Sequence, residues 1–172
     1  MPRNLIFVGP MGAGKTTIGR MVAKQLKRQF YDSDREIERR TGASIPLIFE
    51  LEQEQGFRLR ERSVIQELSQ MDRIVLATGG GAILDEQNRT ALSQGGHVFY
   101  LKASINHLLN RTSRDSSRPL LQTDNPRQKL EELMQIREPL YCEVANSIIT
   151  TDTCPVRKIV DRIIKIVKNQ DL

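Results

Sequence analysis

Short apolar runs alternate along the chain with longer segments whose apolar residues recur at helical spacing. Leu5-Ile6-Phe7-Val8 has the length of a buried strand and predicts one over 4–8. Ile18, Met21, Val22 and Leu26 then repeat as one face of a helix over 15–28. A short strand at Phe30-Tyr31, helical segments near 34–41 and 46–54, and a longer helix over 57–70 come next. Ile74-Val75-Leu76-Ala77 reads as the third strand, followed by Gly79-Gly80-Gly81 and a helix near 86–94. Val98-Phe99-Tyr100-Leu101 is the fourth strand, with a helix after it to about Thr112. The stretch 113–126 is polar and punctuated by Pro119 and Pro126, so it reads as a loop. A helix near 127–143, a fifth strand at 147–150 and a last helix over 156–168 complete the pattern. Val156, Ile159, Val160, Ile163, Ile164 and Val167 share one face of that last helix, as expected of a core-facing element. Such alternation predicts an α/β fold, a parallel sheet with helices on both faces, whose ligands sit beyond the carboxyl ends of the strands. No repeat or linker divides the chain, so a single domain over 1–172 is expected.

The turn between the first strand and first helix carries the clearest chemistry. Gly9-Pro10-Met11-Gly12-Ala13-Gly14-Lys15-Thr16 spells G-x-x-x-x-G-K-T. Its glycines let backbone N–H groups converge on phosphate oxygens, and the following helix adds the positive end of its dipole. Lys15 can reach the β- and γ-phosphates, while the hydroxyl of Thr16 can join the shell of a Mg²⁺ ion. Strand before and helix after are the context this motif requires. The chain is expected to bind ATP or GTP.

Composition narrows the setting. The chain has 172 residues and 38% hydrophobic content, ample for a sizeable core, with no apolar run near membrane-spanning length. Met1-Pro2-Arg3-Asn4 leads straight into the first strand without a signal-peptide pattern, so a cytoplasmic address is expected. Net charge is +5, from 26 basic and 21 acidic residues, which suits anionic small molecules. Nucleic acid is disfavoured, because the basic residues are dispersed and aromatics are only 5%. Cys142 and Cys154 lack metal-ligand spacing and read as free thiols. His97 and His107 have no evident partners and read as packing or surface residues.

A metal ligand and an acceptor site remain to be placed. The strand at 74–77 ends in Thr78 and glycines, whereas the second strand runs into Asp32-Ser33-Asp34. On an extended backbone this spacing sets both carboxylates on one side, one towards metal and one towards an acceptor hydroxyl. The pair also suits a helix start, where Asp favours the dipole. Its position at a strand's carboxyl end beside a phosphate loop favours function. Three consecutive glycines at 79–81 suggest that a substrate lies against the backbone. Arg58 opens a helix beside Arg60 and Arg62, Arg118 lies in the polar loop before Pro119-Leu120-Leu121, and Arg137 sits late in a helix. Arginine suits bidentate clamping of carboxylate or phosphate, and a loop of this kind suits a lid. Spacing alone does not select these three arginines from so many.

The motifs taken in order resemble the shikimate kinases over nearly the whole chain. They read GPMGAGKTTIGR, FYDSDREIERRTG, EQGFRLRE, LATGGGAIL, RPLL and REPLYCEVA. The resemblance implies a five-stranded parallel sheet of the nucleoside-monophosphate-kinase type, with a substrate-binding region at about 33–61 and a lid at about 112–126. It implies transfer of the ATP γ-phosphate to the 3-hydroxyl of shikimate, on the way to aromatic amino acids. Gly12, Ala13, Gly14, Lys15, Thr16 and Thr17 would then hold ATP, with Arg111 against adenine and Arg118 reaching the phosphates from the lid. Thr16 would bind Mg²⁺ directly and Asp32 through water. Asp34 would meet the acceptor hydroxyl as base or orienting group, and Lys15 and Arg118 would complete the catalytic set. Arg58 and Arg137 would clamp the shikimate carboxylate, with Gly79, Gly80 and Gly81 lining the same pocket. Thr153-Cys154-Pro155 departs from the pattern where an Arg or Asn often holds adenine. ATP and shikimate are the implied partners of a monomer, without nucleic acid or membrane. Rival readings are gluconate kinase or another small-metabolite kinase of this fold, and a nucleotide-binding regulatory module with a vestigial site.

Overall fold

The computed structural model describes residues 4–112, 124–152 and 154–172. Five parallel strands are ordered β2-β3-β1-β4-β5. They span Asn4–Val8 (β1), Gln29–Asp32 (β2), Ile74–Ala77 (β3), Gly96–Lys102 (β4) and Ser147–Thr150 (β5). The helices are Lys15–Leu26 (α1), Ser33–Thr41 (α2), Ile45–Ser69 (α3), Glu86–Gly95 (α4), Ile105–Thr112 (α5), Pro126–Val144 (α6) and Val156–Asn169 (α7). A single 3-10 turn at Ala82–Leu84, absent from the sequence reading, follows the glycines. The expected helices near 46–54 and 57–70 both form within the run α3, separated by a break at Gln53, where the backbone leaves the helical region at φ 59° and ψ −176°.

Strand alternation divides the core between the two faces of the sheet. Leu5, Phe7, Val75, Phe99, Leu101 and Ile149 face one way and pack with Ile18 and Val22 of α1 and Ile159, Val160 and Ile163 of α7. The last helix therefore turns its apolar face inward, as its spacing requires. Ile6, Val8, Leu76, Val98 and Tyr100 face the other way, against Ile65 and Leu68 of α3, Leu92 of α4 and Tyr141 of α6. Asn4 ties the base of the sheet: its Nδ2 donates to the Met71 carbonyl at 2.6 Å and its Oδ1 accepts from Ile74 N at 3.0 Å.

β1 lies in the middle, with β3 on one side and β4 on the other. The crevice at its carboxyl end is where an open parallel sheet binds ligands. The turns after β1, β2 and β3 all open there.

Candidate active site

One cavity of about 720 Å³ occupies that crevice. Gly12, Gly14, Lys15, Thr16 and Thr17 form one wall, with Asp32 and Asp34 beside them. Gly79–Gly81, Arg58 and Arg137 form the floor, Ile45, Pro46, Phe49 and Phe57 an apolar wall, and Arg111 one edge. The structure thus brings together nearly every candidate residue. Ala13 is the exception among the described ones, since its side chain is buried in the core beside α1. Arg118 and most of the expected lid fall outside the described residues.

The phosphate loop ends at Gly14, whose φ of 96° lies in the left-handed region that glycine enters without strain. No side chain caps α1 and no acidic residue occupies its first turn, leaving its N–H groups for an anion. Lys15 Nζ donates to the carbonyls of Gly9 at 2.7 Å and Pro10 at 2.8 Å, which holds the ammonium over the loop. Arg111 of α5 touches the same loop, donating to the Gly12 carbonyl at 3.4 Å.

The two aspartates do not share an extended backbone. β2 ends at Asp32, which caps α2 by accepting from Asp34 N at 3.1 Å and Arg35 N at 3.3 Å, and Asp34 lies in the first helical turn. Helix nucleation at a good N-cap overrides the strand alternation expected from the spacing. Asp32 still faces the phosphate loop, because its Oδ2 accepts from Thr16 Oγ1 at 2.6 Å. With its proton given to Asp32, the Thr16 hydroxyl keeps its lone pairs for a cation. Two hard oxygen donors beside a phosphate site fit Mg²⁺, which retains water and phosphate ligands rather than needing an all-protein cage. No group of three or more His, Cys, Asp or Glu side chains placed to hold a metal ion exists among the described residues.

Gly79–Gly81 form no flexible turn. Gly79 N donates to Ser33 Oγ at 3.0 Å, and the Gly80 carbonyl accepts from the buried Tyr141 hydroxyl at 2.5 Å. The side chains of Asp34, Glu61 and Arg58 lie against these glycines. A Cβ on Gly79 would stand 2.6 Å from Asp34 Oδ1 and 3.1 Å from Glu61 Oε1, and one on Gly81 would overlap the Arg58 guanidinium.

Glu61 escaped the sequence reading. It is 1% exposed, and its Oε2 accepts from Arg58 Nη1 at 2.7 Å. A signal was present: Phe57, Val64, Ile65 and Leu68 form the buried stripe of α3, and Glu61 stands within it where an apolar residue belongs. Arg58 is also held by Glu54 Oε1, at 3.2 Å from Nε and 3.0 Å from Nη2. Asp34 Oδ1, Glu61 Oε1 and Arg137 Nε are all enclosed without a hydrogen-bond partner among the described residues. Such groups carry a desolvation penalty that a ligand can relieve.

Burial is the main cause of two raised pKa values. Asp34 is pushed up to about 6 by burial and by Asp32, against the pull of Lys15 and Arg58. Glu61 is pushed up to about 7 by burial, against the pull of Arg58. Perturbed carboxyl groups in a cleft are the mark of a reactive site.

The family model for shikimate kinase matches residues 11–168. The chain belongs to the shikimate kinase family. It is 57% identical over 158 residues to the shikimate kinase of Pseudomonas fluorescens (strain Pf0-1), covering 92% of each chain. To that of Methylococcus capsulatus it is 54% identical over 162 residues, covering 94% of this chain and 90% of the relative. The solved shikimate kinase from Acinetobacter baumannii, in complex with shikimate, superposes with a TM-score of 0.95 at 52% identity, covering 99% of this chain and 95% of that one. The kinase is an ATP-dependent enzyme that phosphorylates shikimate, a step of aromatic amino acid biosynthesis. Use of ATP by such kinases implies a divalent cation.

The raised pKa of Glu61 makes stability depend on pH. A folded state that binds this proton more tightly than the unfolded chain is favoured below the ordinary value of 4.5 and loses that advantage as pH rises through about 7. The melting temperature should therefore fall between about pH 5 and about pH 8, and fall less in Glu61→Gln, which has no such proton to lose. Parallel melting curves for the two proteins across that range would show that Glu61 does not hold the proton.

Proposed function

We propose that the cavity transfers the γ-phosphate of ATP in line to the 3-hydroxyl of shikimate, with phosphates over the α1 N-terminus and the acceptor over Gly79–Gly81. The observation that carries this assignment is the convergence of Asp34, Arg58 and Arg137 on those glycines, beside Lys15 and Thr16. Asp34 Oδ1 accepts from the 3-hydroxyl and orients it or takes its proton. Arg58 and Arg137 clamp the carboxylate, the planar fork of each matching its geometry. The apolar wall of Phe49 and Phe57 faces the ring and excludes water. Lys15 neutralises charge on the phosphates, joined by Arg118 from the lid, while Arg111 lies against adenine. Thr16 directly, and Asp32 through water, would hold Mg²⁺, which would supply charge neutralisation to the phosphate oxygens. The acceptor chemistry is supported by the Acinetobacter relative, whose structure contains shikimate. The enzyme acts as a monomer in the cytoplasm; no described helix is long and apolar enough to cross a membrane.

Release of ADP from Mg-ATP, measured with shikimate, gluconate, quinate and nucleoside monophosphates in turn, is expected to be rapid with shikimate alone. Equal or faster turnover of another acceptor would transfer the assignment to that compound. Arg58→Ala or Arg137→Ala should cost roughly 2–5 kcal/mol in binding the acceptor carboxylate. Shikimate KM should rise strongly while ATP KM changes little, and the opposite pattern would remove both arginines from the clamp.

The aspartates separate by metal dependence. Asp34→Asn should still bind Mg-ATP yet lose kcat by ~10²-fold or more. Asp32→Asn should need more Mg²⁺ for half-maximal rate and be partly restored by excess Mg²⁺. Rescue of the Asp34 variant by Mg²⁺ instead would exchange the two roles.

A further inference from the structure

The run Ile45–Ser69 bends at one residue. Gln53 has φ 59° and ψ −176°, a conformation that glycine enters freely and other residues enter only against their own Cβ. Its side chain is exposed and takes part in no described hydrogen bond, so nothing at Gln53 itself offsets the strain. The bend is held from both sides. Arg60 donates to the two carboxylate oxygens of Glu52 at 2.6 and 2.7 Å, and the rings of Phe49 and Phe57 lie with centroids 4.8 Å apart. Both pairs are eight residues apart, which in a straight helix would separate them by about 12 Å along the axis. These contacts exist only in the bent form. Gly56 makes room for it, since a Cβ there would overlap the Cβ of Glu52.

Both halves of the run line the acceptor pocket. Ile45, Pro46 and Phe49 come from the first half, Phe57, Arg58 and Glu61 from the second. The break at Gln53 thus sets how the first half, with Ile45, Pro46 and Phe49, sits against the second half, with Phe57 and Arg58. We infer that Gln53 is a positioning residue for the acceptor pocket: the bent form is balanced against a straighter one, and the residue at this position sets how often the pocket is preassembled. This rests on the reading that shikimate lies between Phe49 and Arg58. Glycine relieves the strain of the bend and disfavours a continuous helix; alanine keeps the strain and favours the helix. The two smallest side chains therefore push the balance in opposite directions. Apparent affinity scales with the preassembled fraction, so it follows the balance.

Gln53→Gly and Gln53→Ala in the full chain, with shikimate binding measured by isothermal titration calorimetry alongside steady-state kinetics, test this. Gln53→Gly should lower the shikimate Kd and KM about threefold or more, and Gln53→Ala should raise them by a similar factor. The effect should fall on shikimate KM rather than on kcat or ATP KM. The glycine variant should also melt above the alanine variant by about 2–6 °C. A melting difference without a split in shikimate Kd would make the bend merely structural and overturn the inference, as would a shift of both Kd values in one direction. Arg58→Ala measured in parallel separates the two levels. If it weakens shikimate while the Gln53 variants bind alike, the positioning role alone fails; if it leaves shikimate binding unchanged, the pocket reading itself fails.

Discussion

The polar ends of Asp34, Glu61 and Arg58 approach Gly79 and Gly81 more closely than a Cβ on either residue would permit. Ionised groups withdrawn from water cost several kcal/mol each unless they are paired or neutralised. The protein meets that constraint in different ways. Arg58 pairs with Glu61, and Glu61 and Asp34 hold their protons to higher pH than ordinary carboxyl groups. Even so, Asp34, Glu61 and Arg137 each keep an enclosed atom without a partner among the described residues. Stability is given up at the place where a polyhydroxylated anion would restore the missing bonds. The backbone bonds from Gly79 to Ser33 and from Tyr141 to Gly80 keep this arrangement from relaxing.

The same constraint sorts the arginines. Arg39, Arg40 and Arg60 pair with Glu36, Glu67 and Glu52 near the surface, where solvent screens the attraction and the pairs contribute little. Arg137 is 5% exposed, and Arg58 is held between Glu54 and Glu61 at the cavity floor. Their burial, rather than their number or spacing, sets them apart from the surface pairs.

Much of the fold was legible because its determinants are local. All five strands and the last helix lie within a few residues of where apolar periodicity put them, and the phosphate loop is contiguous in sequence. One misreading has a plain physical origin. At Asp32-Ser33-Asp34 an N-cap competed with strand alternation and won, which rotated Asp34 into a helical turn. In α3 the two expected helices both form, and contacts across the break, Glu52 with Arg60 and Phe49 with Phe57, set how they meet, which no periodicity reports. Gly79–Gly81 line the cavity, and the missing Cβ atoms of Gly79 and Gly81 also leave room for Asp34 of α2 and Arg58 of α3, an approach that no sequence period reports.

By itself the sequence determined the alternation of strands and helices, the phosphate loop and, through the order of its motifs, the family. Each of these is written in neighbouring residues, where backbone propensity and period decide the outcome. Only the tertiary structure decided which arginines are buried, that Glu61 joins them, and that the glycines admit Asp34 and Arg58 rather than a flexible turn. Those outcomes depend on the electrostatic and steric environment made where the ends of β1, β2 and β3 meet α3 and α6, and that environment exists only once distant segments pack together.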